Sequence, residues 1–210
     1  MYNKKIIIIT GATKGLGLDI FNTLRPNYEI ATISRNTRPI ESLSCLKLTG
    51  DITNPADVKE FFSKIYNKWG KVDILINNAG LLGEFKDLVY YNEKEIDDII
   101  NLNIKGTFLM TQEAVALMKN NGGGLIINIG STRSITGAPN KSLYTMTKFA
   151  MRGLTQCINA EYNIHNIYST IICPGSFRTV DTKEIAKIIE HIIELPKESH
   201  IPEIIIGGRI

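Results

Sequence analysis

Seven short runs of aliphatic and β-branched residues divide the chain: KIIII (5–9), EIATI (29–33), CLKL (45–48), VDILIN (72–77), GLIINI (124–129), NIYSTII (166–172) and PEIII (202–206). Their apolar residues are consecutive rather than alternating, which suits strands covered on both faces. Between them lie longer segments with helical spacing. Strand and helix alternate, so the pattern predicts an α/β fold: a doubly wound parallel sheet of about seven strands with helices on both faces, in one domain over residues 1–210. No internal repeat, low-complexity segment or linker interrupts it.

The helical segments carry their own boundaries. Asn54-Pro55 places a capping side chain before a proline at the first helical position, and Gly70 follows as a stop. Asn92 with Glu95 predicts a capping box opening a long helix to about Met118. Asp181 with Glu184 predicts a second box. It opens IAKIIEHIIEL, whose isoleucines at 185, 188, 189, 192 and 193 form one stripe for core packing rather than a partner surface.

Composition narrows the function classes. Of 210 residues, 43% are apolar and 21% charged, and the net charge of +3 is too small to argue for nucleic acid or an anionic membrane surface. Lys4-Lys5 and IIII resemble a secretory leader only until Thr10-Gly11, and no apolar run approaches the ~20 residues of a membrane span. Cys45, Cys157 and Cys173 lie far apart without a CxxC, which fits reduced thiols in a cytoplasmic protein. His165, His191 and His200 lack metal-ligand spacing, so no metal site is expected.

The chemistry begins at TGATKGLG, Thr10 to Gly17, between the first strand and the first helix. Glycines there allow a sharp turn, a close approach of backbone to pyrophosphate, and tight packing of helix on sheet. The helix N-terminus offers free N–H groups to phosphate. Tyr144 and Lys148 stand one helical turn apart in YTMTKFAMRGLTQ, so their side chains share a face.

With TGxxxGxG in place of GxGxxG, the sequence resembles the short-chain dehydrogenase/reductase family along nearly its whole length. NNAG (77–80), Asn103 in NLNIKG, Ser131 thirteen residues before Tyr144, Tyr144-x-x-x-Lys148 and PGSFRT (174–179) carry the resemblance, with Asp51-Ile52 at the position that contacts adenine. It implies a Rossmann-type fold and hydride transfer between a nicotinamide and a carbonyl or alcohol. Tyr144 would be the acid/base, and Lys148 would lower its pKa and bind ribose. Ser131 would polarise the carbonyl, ahead of its neighbours Thr132 and Ser134. Asn103 would hold a relay water, a role compatible with a structural bridge to a neighbouring strand. The implied cofactor-binding set is Gly11, Thr13, Lys14, Gly15, Leu16, Gly17, Ser34, Arg35, Asp51, Ile52, Asn78, Ala79, Gly80, Tyr144, Lys148, Pro174, Gly175 and Thr179.

An acidic residue ending the second strand would favour NAD(H) by binding the ribose 2′-hydroxyl. Ser34 occupies that place, with Arg35 beside it and Lys14 in the turn, so NADP(H) is expected over NAD(H). Arg38 is a possible substitute for either cation. Homodimers or homotetramers are implied, packed through the helices ending near Met118 and Tyr162.

Two departures from the family pattern stand out. Pro39 and a short segment between Arg35 and Asp51 predict a lost or truncated helix. Thr179 is followed almost at once by the final helix, leaving no room for a substrate-covering lid. An open, shallow site is the expectation, suited to a bulky or carrier-bound carbonyl or else closed by a partner subunit, with Leu81 to Phe85, Arg133, Ser134 and Asn140 as its candidate walls. The alternative is a catalytically silent NADP(H) sensor or regulatory subunit.

Overall fold

In the computed structural model, which describes residues 4–176, 180–196 and 199–207, all seven aliphatic runs become strands. They are β1 (Ile6–Thr10), β2 (Glu29–Ser34), β3 (Leu46–Thr49), β4 (Ile74–Asn77), β5 (Gly124–Ile129), β6 (Ile167–Pro174) and β7 (Glu203–Ile206). Every neighbouring pair is parallel, in the order β3-β2-β1-β4-β5-β6-β7. The chain runs outward from β1 to β3, then returns past β1 to build the other half. That reversal opens a crevice at the carboxyl ends of β1 and β4, where ligands of such sheets bind.

Helices α1 (Gly15–Leu24), α2 (Pro55–Trp69), α3 (Glu93–Ile100), α4 (Thr107–Asn120), α5 (Ser142–Tyr162) and α6 (Thr182–Glu194) cover the two faces. Because successive strand side chains point opposite ways, β1 divides its isoleucines between two cores. Ile6 and Ile8 join residues of α2, α4 and α5. Ile7 and Ile9 join Phe21 and Leu24 of α1 and the α6 isoleucines. Of the α6 stripe, Ile185, Ile189, Ile192 and Ile193 are buried and Ile188 packs against their cluster.

Asn54 caps α2 through the Ala56 N–H at 3.0 Å, and Gly70 ends it in the left-handed region at φ 72°. Asn92 and Glu95 form both halves of their capping box. The second box is only half formed. Asp181 accepts from the Lys183 N–H at 2.9 Å, but Glu184 turns outward to Lys187 Nζ at 2.8 Å. The long helix from Glu93 also departs from expectation: residues Asn101–Gly106 widen into a π-helical turn between α3 and α4.

Between β2 and β3 only a three-residue 3₁₀ turn, Arg38–Ile40, remains of the usual crossover helix. Lys47 on β3 ties this corner down, its Nζ donating to the carbonyls of Ile40 (3.2 Å), Glu41 (2.6 Å) and Leu43 (2.9 Å). Across the sheet, a buried polar ladder fixes the strands that end at the crevice. Asn77 Nδ2 donates to Thr111 Oγ1 (3.0 Å) and Asn128 Oδ1 (2.9 Å), and Asn128 Nδ2 donates to Thr155 Oγ1 (2.9 Å) and Ser169 Oγ (3.3 Å). Such buried groups are costly unless paired, so the ladder also sets register. Among the described residues, no helix is long and apolar enough to cross a membrane.

Candidate active site

The turn after β1 is shaped by what its glycines must avoid. A Cβ on Gly17 would fall on the Gly11 carbonyl oxygen and the Asn78 side-chain amide. Gly15, at φ 52°, has open space where its Cβ would be. Asn78 closes the structure from β4, its Nδ2 donating to the carbonyls of Thr10 (2.9 Å) and Gly11 (3.2 Å). The Asn78 and Ala79 N–H groups both donate to Thr10 Oγ1, at 3.0 and 2.9 Å. No side chain caps the N-terminus of α1 and its first turn holds no acid. Its N–H groups therefore face a cleft of about 950 Å³ with the helix dipole unopposed. A glycine cradle, free helix N–H groups and a cleft of this size fit a dinucleotide.

The expected catalytic side chains meet at the same cleft. Ser131, Tyr144 and Lys148 line it together with Lys14, Gly15, Leu16, Gly17, Asn78, Gly80, Pro174 and Gly175. Ser131 leaves β5 in extended conformation, and its Oγ accepts from the Arg133 N–H at 3.2 Å. Ser134, the rival hydroxyl, is fully buried behind it and accepts from the Ser131 N–H at 3.2 Å. Lys148 is 6% exposed, and its Nζ donates to the Ile129 carbonyl at 2.7 Å. That nitrogen lies 5.6 Å from the centre of the Tyr144 ring.

Burial dominates the electrostatics. It lowers the Lys148 pKa from 10.5 to about 8, the partial opposition coming from Cys173. It also pushes the Tyr144 phenol above its ordinary value of 10, while a hydrogen bond with Ser131 pulls the other way. Lys148 is expected to lower the Tyr144 pKa; in this structure desolvation of the phenol is the largest effect on it.

Asn103 sits in the π-helical turn, 2% exposed. It clamps the loop after β4, accepting from the Leu81 N–H at 2.7 Å and donating to the Leu81 carbonyl at 2.8 Å and Thr147 Oγ1 at 3.1 Å. Both amide hydrogens are used, so only a lone pair on Oδ1 is left for a water.

Several expected residues lie away from the cleft wall. Gly11 lies close against Ala79: a Cβ on the glycine would meet the Ala79 Cα at 3.1 Å. Thr13 and Ser34 join through their hydroxyls at 3.5 Å, and Arg35 is exposed at the end of β2. Neither Lys14 nor Arg35 pairs with a carboxylate among the described residues. Asp51 is engaged locally by the Thr53 N–H at 2.9 Å. Ile52 belongs to the core and packs on Gly106, so its side chain is turned away from the crevice. Thr179 lies outside the described residues. Of the candidate substrate walls, Leu81, Leu82, Phe85 and Arg133 line the cleft, whereas Gly83, Glu84, Ser134 and Asn140 do not. Lys141, three residues before Tyr144, lines it too and escaped the sequence reading. Its only signal was a cation at the start of the tyrosine's helix.

The model of the short chain dehydrogenases matches residues 5–189. The chain belongs to the short-chain dehydrogenase family. An uncharacterized oxidoreductase of Schizosaccharomyces pombe is 38% identical over 82% of this chain and 61% of its own length, so the chain spans less than two thirds of that relative. Sepiapterin reductase of Chlorobaculum tepidum is 32% identical over 95% of this chain and 88% of its own. A metagenomic short-chain oxidoreductase, solved in complex with NADP, superimposes with a TM-score of 0.91 at 21% identity, covering 98% of this chain and 97% of that one. This short-chain dehydrogenase is accordingly an oxidoreductase with the Rossmann-like fold of its family.

Proposed function

We propose that this short-chain dehydrogenase reduces a carbonyl to an alcohol, or runs the reverse, with NADP(H). The observation that carries this reading is a phenol, a hydroxyl and a buried ammonium on the wall of one cleft with the glycine turn. A bound nicotinamide supplies or accepts the hydride. Ser131 and Tyr144 already bond each other, so one substrate oxygen can meet both hydroxyls. The Ser131 Oγ is held as acceptor by the Arg133 N–H, and its hydrogen, directed at Tyr144 without a substrate, turns to the carbonyl oxygen and polarises it. The Tyr144 phenol, protonated at neutral pH and held further from ionisation by its burial, donates its proton as the oxygen becomes an alkoxide.

Lys148 has three N–H donors and uses one on Ile129. The other two are available to ribose hydroxyls, and the positive charge stabilises the tyrosinate left by proton transfer. Asn103 holds the loop beneath the reacting groups and offers Oδ1 to a relay water. Lys14 and Arg35 carry the preference for a 2′-phosphate. Exposed Phe108 on α4 and Met146 and Phe149 on α5 support a homodimer or homotetramer of this one catalytic domain, which we assign to the cytoplasm.

The test is NADPH consumption against a panel of aldehydes, quinones, keto-sugars and β-keto thioesters. Tyr144→Phe should lower kcat/KM by about 10²–10⁴. Full activity in that variant would end the mechanism. Cofactor binding without turnover of any compound would instead favour a silent sensor.

A further inference from the structure

At the substrate end of the cleft, two cations have no role in the chemistry proposed above. Arg133 follows Ser131 by two residues, and Lys141 precedes Tyr144 by three; both are partly buried and both line the cleft. No aspartate or glutamate lines it among the described residues. Glu84, in the loop that carries Phe85, pairs with Lys86 at 3.8 Å. Arg133 is braced rather than loose: its Nη1 donates to the Gly137 carbonyl at 2.8 Å, leaving the rest of its planar fork to other acceptors. Lys141 is held by a ring instead of a carboxylate, its Nζ 4.3 Å from the centre of Phe85. Leu81, Leu82 and Phe85 give the same wall an apolar surface.

We propose that this end of the cleft selects keto acids: carbonyl compounds whose apolar segment lies on Leu81, Leu82 and Phe85 and whose carboxylate is taken by Arg133 and Lys141. The inference rests on the reductase reading for its carbonyl, but not for its anion. Two cations in a partly dry wall without a local acid favour an anionic ligand group, since a charge-assisted bond there outweighs one to water. A bidentate carboxylate matches the guanidinium fork, while the ammonium adds a point charge beside it.

Binding and turnover test the two ideas separately. Calorimetry should show 4-phenylbutyrate binding the protein about tenfold or more tighter than 4-phenylbutyramide. Arg133→Gln and Lys141→Gln should each bring that ratio to within about threefold, and Arg133→Lys should restore part of it. Equal binding of acid and amide, or a preference removed by Lys14→Gln and not by these variants, would overturn the inference. In turnover, methyl-ketone acids from levulinate to 8-oxononanoate, compared with their methyl esters under NADPH, should favour the acids by about tenfold at the best chain length. Equal rates would sink the anion site and leave the reductase standing. A calorimetric preference without any turnover would do the reverse.

Discussion

The two ends of the cleft are built on opposite principles. The cofactor end is made of backbone: Gly17 leaves no room for a methyl group against Gly11 and Asn78, and the Asn78 amide stitches the turn to β1. The end proposed for substrate is made of side chains, with Leu82 and Phe85 exposed on the loop after β4. One end can change only by breaking the fold. The other can change while the fold looks on, which is how a common hydride-transfer frame serves different carbonyls.

Substitutions should separate the two ends by what they disturb. Gly17→Ala puts a methyl into backbone and amide atoms, and should cost about 3 kcal/mol or more in chemical unfolding, with cofactor affinity lost alongside. A variant of unchanged stability would show that the turn is looser than its contacts indicate. Lys148→Met should act in the opposite sense, abolishing turnover while stabilising the protein by ~1–3 kcal/mol at pH 7. The sign follows from the lysine's depressed pKa of about 8. At pH 7 the folded protein carries a buried charge that the unfolded chain hydrates freely. Between pH 8 and 10.5 the folded form has shed the proton and the unfolded form has not, so wild-type stability rises with pH and the variant's advantage shrinks. Melting curves at pH 7 and 10 measure this, and a constant difference would contradict it.

Smaller effects are expected where the side chains are exposed. Arg35→Ala should raise the KM for NADPH about tenfold and that for NADH less than about twofold; equal changes would remove the 2′-phosphate assignment. Phe85→Ala should leave stability within about 0.5 kcal/mol yet shift substrate KM several-fold. A fall in melting temperature without a change in KM would make Phe85 a packing residue and blur the contrast between the two ends.

The frame was readable in the residues because its signals are local and repeated. Strands buried on both faces announce themselves as continuous aliphatic runs, and the spacing of Ser131, Tyr144 and Lys148 places them at one strand end and one helix turn. What escaped depends on three-dimensional surroundings. NLNIKG carries no periodic sign of a π-helical turn. The direction of the Tyr144 shift follows from how much water is removed from the phenol, and spacing along a helix is silent on that. Lys141 acquires meaning only when the loop bearing Phe85 folds across from it. Ser134 matches Ser131 in chemistry and is set apart in the sequence only by its spacing to Tyr144; its full burial is a second difference, visible only in the fold.

Lys47 has a consequence for motion. Where a crossover helix would bury apolar area over β3, three carbonyls of the 38–43 corner converge on one ammonium. A corner fastened by a point charge opens by local fraying rather than by global unfolding, and its hold weakens as dissolved ions or acylation of the amine compete for that charge. The rim of the crevice carried by β2 and β3, anchored to this corner, is therefore the part of the frame whose amides should trade hydrogen for deuterium soonest.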